Sequence, residues 1–214
     1  MNLRLAPSFK NFNFNSIVFL SFLCSFAIDG NCQNAVDLFQ KGVEKRMKGD
    51  PKLAITELNQ ALALDPNYAE AYCIRGIAKY DLKDFKGAIE DCSKAIEIKP
   101  KYCEAFCGRG LAKQEMKDYQ GAISDYDKAL KLDPNYSDAY LSRASAKSYL
   151  EDYKGTIADC TKSLALDSTS VVSYYLRGTS ELFLEKKKEG CIDLYKAKRM
   201  GSAEAAEAIQ KFCK

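Results

Sequence analysis

Small residues recur along this chain every 34 positions, and that spacing decides most of what the chain can fold into. The segments Leu62–Tyr68 (LALDPNY), Ile96–Tyr102 (IEIKPKY) and Leu130–Tyr136 (LKLDPNY) align, with Pro66, Pro100 and Pro134 in register, and Ser168 holds the next slot (LALDSTS). Gly42, Gly76, Gly110, Ala144 and Gly178 keep the same step. So do Ala54, Ala88, Ala122 and Thr156, and then Ala61, Ala95, Ala129 and Ser163. A period of this length marks an architecture whose single unit cannot bury its own apolar face and must stack on its neighbour.

Each unit reads as two helices. In residues 69–102, AEAYCIRGIAKYDLK carries apolar and aromatic side chains at helical spacing, a turn follows at Asp84, and FKGAIEDCSKAIEIK is a second amphipathic stretch stopped by Pro100. Asp50, Asp84, Asp118 and Asp152 share the position just before the second helix, where a carboxylate can accept from free backbone N–H groups. Pro51 suits a first helical residue, because its missing N–H costs nothing there. A Gly or Ala on each facing helix lets two backbones approach, while Tyr72, Phe106, Tyr140 and Tyr174 fill the wider end. The expected fold is therefore all-α: units 35–68, 69–102, 103–136, 137–170 and a degenerate 171–200 form a solenoid over 35–200. A more polar helix over 202–213 caps it, since a last repeat left bare would expose core. Gly178 and Gly190 are twelve apart where earlier copies show eleven, which predicts one inserted residue in the EKKKEG turn.

The period, the aromatic four residues before the small one (Tyr72–Gly76, Phe106–Gly110), the Phe or Tyr after Asp (Phe85, Tyr119, Tyr153) and the terminal Pro resemble the tetratricopeptide repeat over roughly residues 35–204. The resemblance implies a right-handed superhelical solenoid of antiparallel helix pairs that binds a peptide or helix of a partner protein in a concave groove lined by first helices. The lining positions it implies are Phe39, Val43, Cys73, Ile77, Tyr80, Cys107, Leu111, Gln114, Leu141, Ser145, Tyr149, Tyr175 and Thr179. Chaperone-binding members clamp a C-terminal carboxylate with a Lys and an Asn one turn apart. Here those slots hold Phe39/Val43, Cys73/Ile77, Cys107/Leu111, Leu141/Ser145 and Tyr175/Thr179, so the clamp is absent and the surface is largely apolar. Ordinary packing between repeats is the competing reading for every one of these residues. If they do line a groove, charges placed at Ile77 and Leu111 should abolish capture and leave the fold standing. The closing segment GCIDLYKAKRMGSAEAAEAIQKFC also resembles the end of exported repeat proteins from Bacteroidetes-type bacteria.

Ahead of the repeats, residues 1–15 carry Arg4 and Lys10 and no acid, and Ser16–Ile28 (SIVFLSFLCSFAI) runs without a charge. This is the basic and apolar layout of a secretory signal, too short for a span of about 20 residues. It predicts a signal over 1–32 cut before Gln33, with Gly30 and Cys32 as the small flanking residues, and an exported protein, periplasmic or secreted. The alternative is an uncut segment, residues 16–28, anchoring the chain in a membrane; that segment is the one route to a membrane the sequence offers.

Nine Cys and no His exclude the Ser-His-Asp triad, the Cys-His dyad and imidazole metal sites, and no C-x-x-C pair is present. No metal and no cofactor is expected. Cys92 and Cys160 share a slot with Leu58 and Tyr126 and read as small buried hydrophobes. Cys103 and Cys107 lie on one face of a helix and read as two thiols. Cys191 and Cys213 lie ten residues before and twelve after Gly201, near the open end of the last hairpin; they read either as a disulfide or as two unpaired thiols.

Charge decides between partner classes. Lys plus Arg is 32 against 29 for Asp plus Glu, too even for a dedicated nucleic-acid binder. Arg75, Arg109, Arg143 and Arg177 precede the small residue, Lys79, Lys113 and Lys147 follow four later where the fifth unit has Glu181, and Asp91, Asp125 and Asp159 recur on the second helix. This is either a basic ladder for an acidic ligand or an Arg–Asp ladder stitching helices together, and the in-frame acids favour the second. The expected function is a non-catalytic protein-interaction scaffold outside the cytoplasm. The alternatives are a self-associating structural subunit of an envelope assembly and a thiol redox protein using Cys103 or Cys107.

Overall fold

The computed structural model of the chain describes residues 30–214, so the expected signal, but for its last three residues, lies outside the described residues. Eleven helices and no strand occupy them: α1 (Gly30–Met47), α2 (Pro51–Leu64), α3 (Ala69–Asp81), α4 (Phe85–Ile98), α5 (Cys103–Glu115), α6 (Tyr119–Leu132), α7 (Ser137–Tyr149), α8 (Tyr153–Leu166), α9 (Val171–Phe183), α10 (Lys187–Arg199) and α11 (Ala203–Phe212). The chain divides inside α5, between Ala112 and Lys113, into two compact units.

The first unit packs α1 on α2, α2 on α3 and α3 on α4. Its core holds Phe39, Val43, Leu58, Leu62, Ile74 and Ile77, with Ala54, Ala61 and Ala95 closing the gaps between helices. The small track is a matter of distance. A Cβ on Gly76 would stand 2.9 Å from Cys92 Sγ and 3.1 Å from the Ala88 carbonyl oxygen, so the two backbones touch only without one.

The second unit packs α6 through α11 each on the next. Leu141, Cys160, Tyr175, Leu176, Leu194 and Ile209 form its core. Here Thr156, Ser163 and Ser173 carry hydroxyls in alanine slots and find partners: Thr156 Oγ1 lies 3.3 Å from the Ala144 carbonyl oxygen, and Ser163 Oγ lies 3.0 Å from Ser173 Oγ. Helix α11 buries Ala205, Ala208 and Ile209, and Ser202 caps it by accepting from the Ala205 N–H. Cys191 and Cys213 are joined as a disulfide with Cα atoms 5.7 Å apart.

The second helices of the first four repeats start on one device. Asp50 accepts from the Leu53 N–H at 3.1 Å, and Asp84, Asp118 and Asp152 accept from the N–H of Gly87, Gly121 and Gly155 at 2.9–3.0 Å. In three of the four capped units the cap explains a glycine; in the first, Asp50 caps at φ −113° rather than −77° to −82°, and Leu53 fills the slot. A Cβ at Gly87, Gly121 or Gly155 would meet the capping carboxylate at 2.1–2.3 Å. In the fifth unit Lys186 stands at the cap and makes no side-chain bond, so Glu189 can take the glycine slot. Gly190 belongs to the adjacent track of Ala88, Ala122 and Thr156, where its Cβ would fall 2.6 Å from the Gly178 carbonyl oxygen.

The expected insertion therefore does not exist. Helix α10 starts at Lys187, in frame with Tyr153, and Arg177 reaches Asp193 across the same sixteen residues that separate Arg143 from Asp159.

Candidate partner-binding surface

The charge ladder is spent inside the repeats. Arg75 donates through Nε and Nη2 to both oxygens of Asp91 at 2.8 and 2.7 Å, and Lys79 adds a third contact at 2.8 Å. Arg143 and Lys147 treat Asp159 in the same way, Arg177 forks onto Asp193, and Lys113 reaches Asp125 at 2.7 Å. The Asp side chains are nearly sealed, 1–9% exposed, so each needs its cations to be buried at all.

Each Arg has a further task. Arg75 also reaches Asn59 at 2.7 Å, Arg109 reaches Ser93 at 3.1 Å, Arg143 reaches Asp127 at 2.6 Å and Arg177 reaches Thr161 at 3.3 Å, each sixteen residues back in the preceding repeat. The guanidinium planes also lie 5.2–5.8 Å from the centres of Tyr72, Phe106, Tyr140 and Tyr174. Hydrogen bonding to Asp159 and Asp193 keeps Arg143 and Arg177 more firmly protonated than usual. The ladder stitches repeats together.

On the first helices, the expected groove positions are mostly interior. In the first unit Phe39, Val43, Cys73, Ile77, Cys107 and Leu111 are all buried, and Tyr80 stays half-buried against Phe85 at 5.5 Å between ring centres. Ile77 is 1% and Leu111 5% exposed, so a charge at either would attack the core as well as any ligand contact. Burial also pushes the Cys73 thiol well up, and it raises the neighbouring Tyr102 hydroxyl in turn.

In the second unit Gln114, Leu141, Ser145 and Tyr175 are buried, Thr179 is half-buried and Tyr149 is 40% exposed. Gln114 donates through Nε2 to Ser145 Oγ at 3.2 Å and accepts from the Tyr126 hydroxyl at 3.3 Å, and Thr179 donates to the Tyr175 carbonyl. Tyr149 stacks on Tyr119 at 4.7 Å, and Phe183 on Tyr153 at 4.6 Å, both nearly parallel. Tyr119 and Tyr153 were visible in the sequence only as repeat markers, and their ring partners come from the following unit.

Thiol chemistry finds little support. Cys103 donates to Glu104 Oε2 at 3.3 Å, an anionic neighbour where an activated thiolate wants a cation. No group of three His, Cys, Asp or Glu side chains suited to a metal is found among the described residues.

Comparison with known proteins follows this geometry. The sequence pattern described as Tetratricopeptide repeat matches residues 69–102 and 103–136, and that described as TPR repeat matches residues 42–83. Among solved structures, MamA is 24% identical with a TM-score of 0.68, covering 77% of this chain and 96% of that one. The TPR domain of Arabidopsis OM64 is 28% identical over 56% of this chain and 99% of the domain, with a TM-score of 0.55. YrrB, a TPR protein with an unusual peptide-binding site, is 16% identical over 93% of this chain and 98% of its own, with a TM-score of 0.68. No curated protein matches the chain by sequence.

Proposed function

Because this chain is a tetratricopeptide-repeat protein, we propose that it is a non-catalytic scaffold that holds a peptide or helix of a partner protein against its first helices, outside the cytoplasm. The carrying observation is the contrast between two sets of side chains. The ladder cations are consumed by buried Asp, whereas Tyr80, Tyr149 and Thr179 remain accessible at first-helix positions. A surface of that kind favours aromatic and aliphatic partner side chains over acidic ones. Action outside the cytoplasm is supported by the charge-free run Ser16–Ile28 and by the disulfide between Cys191 and Cys213.

The test is a photo-crosslinking residue placed at Tyr80 or Tyr149, compared with one at Glu90 or Lys162 on exposed second-helix faces, in native cells. A crosslinked partner specific to the first two sites is expected. Equal labelling from all four, or labelling from Glu90 and Lys162 alone, would overturn the reading.

A further inference from the structure

Helix α10 departs from the other second helices on the face that looks away from the core. Gly190, Asp193, Leu194 and Ala197 are its buried side. Directly opposite, at the spacing of successive turns, lie Lys188, Ile192, Tyr195 and Arg199, all exposed. Ile192 is 60% and Tyr195 47% exposed. The slots they fill carry Thr56, Glu90, Ser124 and Ala158, and then Asn59, Ser93, Asp127 and Thr161, in the four earlier units. A solvent-facing position that is polar or small four times and a large apolar residue the fifth time is not explained by packing within the chain.

Charge points the same way. The earlier second helices open on Asp followed by Pro, Phe or Tyr; α10 opens on Lys186 and Lys187, against the helix dipole and without a side-chain cap. Among the described residues, Lys188, Lys198 and Arg199 join no ion pair. Of the two acids on the helix, Asp193 is buried in its bond with Arg177, which leaves Glu189 alone against the exposed cations. The disulfide to Cys191 and the bond from Lys187 Nζ to the Lys214 carbonyl hold the end of α11 beside the first half of α10, and that end carries Phe212, 52% exposed.

We propose that the outer face of α10, with Phe212, is a peripheral docking surface for an anionic lipid bilayer. Ile192, Tyr195 and Phe212 enter the interface, and Lys188, Lys198 and Arg199 pair with lipid phosphates. Apolar residues rimmed by unpaired Lys and Arg on an already folded helix match that chemistry, because aromatic and aliphatic side chains gain from the acyl boundary while each cation gains from the negative surface. No described helix is long and apolar enough to cross a membrane, so the contact is peripheral. It is separate from the partner surface on the first helices, and either can fail without the other.

The chain contains no Trp, which supplies a clean reporter. Full-length Tyr195→Trp is mixed with vesicles of phosphatidylglycerol and phosphatidylcholine, and Thr161→Trp, at the same slot one unit earlier, serves as the control. The expected result is a blue shift and protection from an aqueous quencher at position 195 alone, absent with phosphatidylcholine vesicles. Adding Lys188→Glu and Arg199→Glu to Tyr195→Trp is expected to weaken that response about 30-fold or more. Vesicle binding without a response at 195, or equal responses at 161 and 195, overturns the proposal, since the apolar segment near the N-terminus or unspecific adsorption would then carry the contact. The same response to polyglutamate without vesicles also overturns it, in favour of an acidic protein partner.

Discussion

Arg177 on α9 forks onto Asp193 on α10 without the lysine that joins the same pairing in earlier repeats, because Glu181 holds that slot. In the three preceding units that position is Lys79, Lys113 or Lys147, each bonded to its Asp at 2.7–2.8 Å. Glu181 has one buried oxygen, Oε2, with no hydrogen-bond partner. Burial first, and then the Asp193 charge, hold its carboxyl above the ordinary 4.5. The last repeat thus sets two carboxylates in the slots where its neighbours set an ion pair.

Glu181→Lys should therefore stabilise the chain, by about 1 kcal/mol for a pair that is only partly buried. Glu181→Gln separates charge from shape. The folded state binds this proton more tightly than the unfolded chain does, so the contribution of Glu181 is present in full below pH 4.5 and is lost as pH rises through the raised folded value. Urea midpoints of wild type and Glu181→Gln should coincide near ~pH 4 and separate by ~pH 7, with the Gln variant more stable. A constant difference across that range would contradict the assignment.

The turns inside the hairpins hold a second reserve of stability. Lys83, Lys117, Glu151 and Glu185 sit at φ of 59–65°, in the left-handed region, and the matching slot of the first unit holds Gly49 at 83°. A side chain there crowds its own backbone, and no capping bond from it compensates. Lys83→Gly and Lys117→Gly should each raise the urea midpoint at unchanged slope, by about 0.5–1 kcal/mol after the glycine's greater unfolded-state entropy is subtracted. Gly49→Lys should move it the other way; a Cβ there meets nothing within 4 Å, so the loss would be a backbone effect.

How far this chain was legible depends on how many jobs each position has. Asp84, Asp118 and Asp152 do one thing, accept backbone N–H bonds, and their spacing alone told where the second helices begin. The glycines after them do two. Gly87, Gly121 and Gly155 clear room for the cap, whereas Gly190 clears room for Gly178, and in a bare alignment the two glycine roles merge into a false insertion. First-helix positions are harder still. Cys73 and Tyr149 occupy the same expected lining, yet one is sealed in the core and the other is 40% exposed, because the neighbouring repeat, absent from any single motif, decides what is covered. Ile192 and Tyr195 were readable as departures from the period, but only the burial of α10's opposite face showed that they look outward.

The disulfide should act locally. Its loop spans 22 residues, for which chain entropy gives about 3 kcal/mol. Cys213→Ser is expected to cost that much or less, and hydrogen exchange should quicken first in α11, which buries only the short side chains Ala205 and Ala208 and one Ile, Ile209. Helices of the first unit should keep their protection. Peptide mapping of protein from native cells, without reduction, checks the bond itself, and two free thiols there would remove both this prediction and its support for export.

Gln114 separates ligand contact from packing. Its amide donates to Ser145 and accepts from Tyr126, and Tyr126 is 0% exposed. The slot of Tyr126 holds Leu58, Cys92, Cys160 or Leu194 in the other units, so the hydroxyl is an addition that needs an acceptor in the core. Gln114→Ala withdraws one and leaves a small void, and about 1–3 kcal/mol should be lost. In Tyr126→Phe the acceptor is no longer needed, so adding Gln114→Ala to that variant should cost clearly less than it does alone. A residue that serves only a bound partner would show neither the loss nor the coupling in the unliganded protein. If thermal unfolding of Gln114→Ala matches wild type, the amide is free to contact a ligand, and Gln114 and Ser145 return to the binding surface beside Tyr149.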